Sequence, residues 1–379
     1  MNKWCIKSIL IPAMLLSFSA LSDELSRYAD AHGYAGGERM TKRTFPSSKM
    51  AADDYWTPER MAKARPYPLP VVKGVGQLRT PSAFDEMPGG TPGSDIGNLP
   101  TGDYFHLDSE DSLPEQFPSD SGVNIKKSVA QQLAAVLPAY NPLGSPIHVT
   151  YSVPPVLYAS DSALYPYSAI GKVFFTGADG RTFVCSGAAI GNRAVLTAGH
   201  CVVENDQYHT NWSFVPGFYH GNRPYGTWKA ESAVTFDAWR EQGDFARDVA
   251  FVIVENQEGR TLSQTVGSLS FSWNQPRQKL WAEFGYPAVS PYSGIEMIQT
   301  LAPTAGIDDE FSPPATGIGT IQTQGSSGGP WIIDFSPGLV VSNFANGVVS
   351  YSLSDLPDMQ FSPYFDDAVK AAKDQAVAE

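Results

Sequence analysis

The chain has 379 residues, a formal net charge of −13, only 17% charged residues, 34 glycines and 30 prolines. That length suggests two or three domain-sized units, and the abundance of Gly, Pro and aromatic residues favours β-structure with many turns over helical bundles. The acidic balance argues against general nucleic-acid binding, which wants a basic surface.

Residues 1–22 read as an export signal. Lys3 and Lys7 give a positive start, Ile9 to Leu16 supply a short apolar core, and Ala20-Leu21-Ser22 offers the small residues of a cleavage site after Ser22. The apolar run is too short to span a bilayer comfortably, and no later segment is long and apolar enough to do so. The expectation is a protein with no membrane span in its mature form, secreted to the periplasm or the medium. Cys5 leaves with the signal, so two cysteines remain, Cys185 and Cys201. An even count in an exported chain suggests a disulfide.

Residues 23–160 lack long periodic runs and match no catalytic module. Ala51 to Arg65 reads as a short helix with Pro58 opening a turn, and Ser128 to Leu137 as a second, with Val129, Leu133 and Val136 on one side. Gly74 to Pro114 is rich in Gly, Pro, Ser and Asp and reads as loop or disorder. The whole region is expected to be a propeptide or a retained accessory region, partly disordered.

Strand signals begin near Tyr165, and residues 161–379 read as the functional domain. Ser168 to Thr176 and Arg181 to Ile190 flank a hairpin signal at Gly177-Ala178-Asp179-Gly180. Asn192 to Ala198, Tyr225 to Phe236 and Asp248 to Glu255 complete a first barrel that ends near Gly259. Leu280 to Tyr286, Ile295 to Leu301, Ile318 to Thr323, Pro330 to Asp334, Leu339 to Phe344 and Gly347 to Tyr351 are candidates for a second. Short, evenly spaced strands with turn residues between them suit a barrel. Phe365 to Ala378 reads as a terminal helix.

The chemistry centres on Gly325-Ser326-Ser327-Gly328-Gly329-Pro330. A serine between glycines sits where the backbone turns sharply and presents bare N–H groups. With Ser327 as nucleophile, the amides of Gly325 and Ser327 could hold the oxyanion formed at an attacked carbonyl. A base and an orienting carboxylate are also needed. All six histidines precede Ser327, which excludes the α/β-hydrolase arrangement, where the histidine follows the serine. His200 ends an apolar run, Ala194 to Ala198, and Asp248 heads another, Val249 to Val254. Asp237 and Asp244 are rival carboxylates in a polar, loop-like stretch. His209 and His220 read as loop histidines, with no acidic or cysteine cluster at metal-ligand spacing. No metal site and no cofactor is expected.

Thr197-Ala198-Gly199-His200-Cys201, the Asp248 segment and the Ser327 segment, in that order, resemble the trypsin/chymotrypsin family of serine proteases from about Tyr165 to Ala371. Gly199 stands where the family has its second alanine. The resemblance implies an all-β fold of two perpendicular Greek-key β-barrels with a C-terminal helix and the active site between them. It also implies a Cys185–Cys201 bridge beside the histidine, and a monomer acting on protein or peptide substrates. Trypsin-like enzymes carry Asp before the nucleophile and pair it with a new N-terminal ammonium. Ser326 stands there, so activation here is expected to work without that pair. The bacterial glutamyl-endopeptidase branch also lacks the Asp and is similar at Gly285-Tyr286-Pro287. Ile321 occupies the position where basic-specific trypsins carry Asp, and Gly347 to Ser352 lacks the histidine of glutamate-specific enzymes. A weakly polar or apolar pocket follows, with Ile321, Ser350 and Tyr351 as candidate substrate-binding residues; Ser350 also aligns with the family serine that backs the triad aspartate. The leading expectation is a secreted serine endopeptidase. A protease-fold binding protein (adhesin or decoy) and an esterase using the same triad are the alternatives.

Overall fold

The computed structural model describes residues 38–46, 50–74, 78–81, 90–101, 136–138, 150–152, 157, 159–337, 339 and 341–378. The export-signal reading lies outside them.

We number the strands of the two main sheets in chain order. Ile170–Thr176 (β1), Thr182–Ala189 (β2), Ala194–Thr197 (β3), Thr210–Pro216 (β4), Trp228–Phe236 (β5) and Ala250–Val254 (β6) run in the order β5-β4-β1-β2-β3-β6. Pairing of β5 with β6 closes them into a six-stranded barrel. Its strands carry large, fully buried side chains on both faces: Phe174, Phe214, Phe236, Phe251, Trp212 and Trp228 are each at most 1% exposed, and the register sets Phe214 beside Val173 on one face and Phe174 beside Ser213 on the other. These residues explain why the strands have little alternation; a closed barrel packed on its outside as well buries both faces.

The second sheet is made from Leu280–Gly285 (β7), Ile298–Asp308 (β8), Ala315–Gly319 (β9), Pro330–Ile333 (β10), Phe344–Val348 (β11), Tyr351–Leu353 (β12) and Leu356–Ser362 (β13). Its order is β12-β13-β9-β8-β7-β10-β11. The sheet curls back on itself, and the Val348 amide of β11 donates to Ser362 Oγ of β13 at 2.9 Å. Trp281, Trp331, Ile318, Ile333 and Val349 form its apolar centre. The C-terminal helix spans Asp367–Val377; Asp366 caps it by accepting from the amides of Ala368 and Val369.

Several boundaries differ from the sequence reading. Thr210–Pro216, between the two histidines read as loop residues, is barrel strand β4. Leu356–Ser362 was unread because Pro357 and Asp358 interrupt it, yet Leu356, Met359 and Phe361 are buried. Of the expected strand Leu339 to Phe344, the described residues before Phe344 (339 and 341–343) are loop. The Asn343 side chain closes it by accepting from the Ser336 amide at 2.8 Å and donating to the carbonyls of Ser336 and Leu339. Leu339 and Val341 are left 53% and 71% exposed.

Parts of the region before the barrels form regular elements. Helices Ala52–Tyr55 and Pro58–Lys63 replace the single one, with Thr57 capping the second and Pro58 in its first turn. Trp56 is fully buried, its ring 5.4 Å from that of Phe174. Met40–Thr44 pairs with β5, and Gly93–Asp95 pairs with Ser270–Trp273, so part of the Gly/Pro-rich stretch read as loop or disorder is strand. Val136–Pro138 is strand rather than the end of a helix; residues 128–135 lie outside the described set.

Candidate active site

His200 sits in a turn of 3-10 helix, Gly199–Cys201, that follows directly from β3. Asp248 ends the short 3-10 helix Phe245–Arg247 and leads into β6, and β3 and β6 pair in register, Thr197 opposite Ala250. Strand pairing thus sets the two side chains together. Asp248 Oδ2 lies 2.8 Å from His200 Nδ1, and Asp248 Oδ1 accepts the His200 backbone amide at 2.7 Å. Ser350 Oγ, from just before β12, donates to Asp248 Oδ2 at 2.5 Å. Both His200 and Asp248 are fully buried. A buried carboxylate with donors of this number is held in one orientation and in turn fixes the imidazole.

The rival carboxylates have other work. Asp237 accepts from Thr41 and Arg240, and Asp244 caps the helix before Asp248 through the Ala246 amide. His209 lies between two strands, as a loop histidine would, but it is not on the surface. It is 3% exposed, lies flat on Phe175 with ring centres 4.3 Å apart, and places Nε2 3.0 Å from the His200 carbonyl. Burial pushes its pKa down to about 4, so it is neutral and packs as an aromatic. His220 is in a surface turn, facing Glu296 at 2.7 Å.

Gly199 is required by packing. A Cβ there would lie 2.6 Å from Trp239 Cδ1 and 3.0 Å from Asp248 Oδ1. Trp239 donates its indole N–H to Val203 O and meets the His200 ring edge-on, centres 6.2 Å apart. The sequence showed a glycine in place of alanine but not the indole that takes the room. Cys185 and Cys201 form a disulfide with Cα atoms 6.2 Å apart. They and His200 are close enough to have suggested a metal site, but the bridge leaves no thiolate to bind one.

The Ser327 loop is stitched to both barrels. Ser186 of β2 donates its amide to the Ser327 carbonyl at 2.7 Å, and Gly328 donates to Val349 O at 2.8 Å. Cys201 Sγ, one residue past His200, is 3.6 Å from the Ser327 carbonyl. Ser327 Oγ and His200 Nε2 are both buried, and neither makes a hydrogen bond among the described residues. Such a contact commonly closes only when substrate is bound. Gly325 adopts φ +101°, and a Cβ would press on the Tyr286 carbonyl at 2.7 Å. Its carbonyl turns to Ser186 Oγ. Among the described residues neither the Gly325 nor the Ser327 amide donates a hydrogen bond.

Ser326 is buried and local: its hydroxyl donates to Thr323 O at 2.8 Å. Ile321 is half-buried between Thr320 and Gln322. Tyr351 is fully buried in the second sheet, donates to Asp308 Oδ2 at 2.7 Å and stacks on Phe361. Below the loop, Glu283 of β7 is fully buried and accepts from Thr320 Oγ1 at 2.6 Å; burial raises its pKa to about 7.

Comparison with known proteins agrees with this geometry. The Trypsin family model matches residues 163–283, which hold His200 and Asp248. The protease Anisep from Arthrobacter nicotinovorans is 33% identical with a TM-score of 0.50, over 56% of this chain and 96% of that one. The thermostable serine protease AL20 from an extremophilic microorganism is 34% identical with a TM-score of 0.51, over 56% and 97%. A Glu endopeptidase in complex with MPD is 17% identical with a TM-score of 0.48 and bears no weight on the branch. No curated protein sequence matches the chain. A likeness of one residue in three along nearly the full length of two solved proteases makes this chain a member of the trypsin-like serine protease family.

Proposed function

We propose that the chain is a secreted serine endopeptidase, acting as a monomer and made as a precursor. Residues 1–22 are its export signal, residues 23–160 its propeptide and residues 161–379 the protease. The observation that carries the reading is the buried Asp248 carboxylate. It accepts from the His200 amide and from Ser350 while facing His200 Nδ1, beside a serine whose loop leaves two amides unspent. In this mechanism His200 Nε2 takes the Ser327 Oγ proton as the oxygen attacks the peptide carbonyl. The oxyanion forms against the Gly325 and Ser327 amides. His200 then hands the proton to the leaving amine, giving an acyl-enzyme that water hydrolyses by the reverse sequence. Asp248 fixes the tautomer and stabilises the imidazolium. No cofactor is required by this chemistry. The test is a peptide library digested by the processed protein with a fluorophosphonate probe in parallel. Labelling of Ser327, and loss of turnover by roughly a million-fold in Ser327→Ala, support the reading. Peptidase turnover unchanged in Ser327→Ala rejects it.

A further inference from the structure

We propose that residues 65–72 occupy the substrate groove of this enzyme in the reverse direction, as a strap the enzyme cannot cut. The groove accepts an extended peptide with an apolar residue over the nucleophile. This rests on the peptidase reading above. Arg65-Pro66 pairs in parallel with Phe183-Val184 of β2, and the Tyr67 amide donates to Val184 O at 3.0 Å. Val71-Val72 pairs in parallel with Ser352-Leu353 of β12; the amides of Ser352 and Ser354 donate to Pro70 O at 2.9 Å and Val72 O at 3.0 Å. The Ser327 loop is tied to Ser186, two residues from Val184, and to Val349, three from Ser352. Pro68-Leu69 therefore bridges the gap that holds Ser327. Tyr67 lies over His200, rings 17° from parallel and centres 6.0 Å apart, and anchors its hydroxyl on Glu204 at 2.7 Å. Leu69 packs against the apolar cluster of Trp281, Ile318, Trp331 and Val349.

The polarity follows from the chemistry. A productive substrate sends its leaving amine towards His200, so its C-terminal half lies along the first barrel and its acyl half along β12. That chain would run antiparallel to both β2 and β12. The strap does the opposite: its N-terminal end is at β2 and its C-terminal end at β12. Its peptide bonds face Ser327 with amine and acyl sides exchanged, so no leaving nitrogen is placed to receive the proton from His200. Pro66, Pro68 and Pro70 hold the segment extended and leave few amides to pair. Edge pairing supplies affinity and one seated side chain supplies the selection, a recurring mode of peptide binding.

The test uses the full chain. In a Ser327→Ala background, amide exchange is compared with and without Tyr67→Ala/Leu69→Asp. Exchange at Ser352 and Ser354 should accelerate by about a hundredfold, while β6 stays protected and reports an intact fold. In the chain with Ser327, fluorophosphonate labelling should be at least about tenfold faster in the double variant, because the open fraction rises. Unchanged exchange at Ser352 and Ser354, equal labelling rates, or self-cleavage within residues 66–71 would each overturn the proposal. Accelerated exchange with no labelling in either chain would leave the strap seated and sink the peptidase reading instead.

Discussion

Ser350 Oγ and His200 Nδ1 converge on one oxygen, Asp248 Oδ2, at 2.5 and 2.8 Å. The other oxygen takes the His200 amide. The carboxylate is therefore clamped from the second barrel by Ser350 and from the first by the backbone of the residue it orients. This is one way in which the relative placement of two sheets becomes the rotamer of a single side chain.

Ser350→Ala leaves Asp248 with one fewer donor in a buried setting. A hydrogen bond to a charged group contributes about 1.5–3 kcal/mol, which corresponds to roughly a 10- to 100-fold fall in turnover. The hydroxyl faces Asp248 rather than the groove, so KM should change little. Steady-state kinetics on a peptide ester separates the two; a rise in KM at constant kcat would assign Ser350 to substrate contact instead.

Gly199→Ala tests the packing that replaces the family's alanine. The added methyl meets Trp239 Cδ1 at 2.6 Å and Asp248 Oδ1 at 3.0 Å, so the indole or the carboxylate must shift. Overpacking of this kind costs about 1–3 kcal/mol, or roughly 2–10 °C in melting temperature for a domain of this size. Turnover should fall with it. Adding Trp239→Leu makes room and should restore most of the activity. A single variant with the parent's melting temperature and rate would show that the indole yields freely.

The residues of the proposed triad could be singled out because each lies in a short motif whose meaning is local: an apolar strand ending at His200, an aspartate opening a strand, a serine between glycines. The barrels were legible for the same reason wherever strands were continuous. What was not legible depended on distant partners. Arg65 closes the helix expected from Ala51, and Pro66 to Val72 falls in a stretch without periodic pattern, until the two ends are paired with Val184 and Ser352. His209 looks like loop until Phe175 covers it. Leu339 and Val341 look like strand until Asn343 closes the loop beneath them. In each case local pattern lost to a tertiary contact that no window of sequence contains.

Ser326→Ala should keep activity within about threefold of the parent. Its hydroxyl makes one neutral hydrogen bond, to Thr323 O, which contributes about 1 kcal/mol. No carboxylate stands at this position to receive a new N-terminal ammonium. Accordingly, adding one or two residues to the processed N-terminus should leave the rate unchanged. Loss of activity on such extension, measured with a small ester substrate, would show that the terminus shapes the site after all.

Stability should pass through a minimum near neutral pH. Burial raises Glu283 from 4.5 to about 7, so the native state holds its proton more tightly than the unfolded chain. The contribution of Glu283 is complete below pH 4.5 and is lost as pH rises through about 7. Lys172 of β1 is the opposite case. Its Nζ donates to Gly294 O at 2.5 Å over the rings of Phe174 and Phe218, and burial lowers its pKa from 10.5 to about 7. The unfolded chain then binds the extra proton between those values, so stability is regained as pH rises from about 7 towards 10.5. The acid limb is worth about 3 kcal/mol. Thermal melting of the Ser327→Ala protein from pH 4 to 10 reads both limbs without self-digestion. Glu283→Gln should flatten the acid limb only, and Lys172→Met the alkaline limb only. A melting curve that both variants leave unchanged in shape would mean that neither group is held as the fold implies.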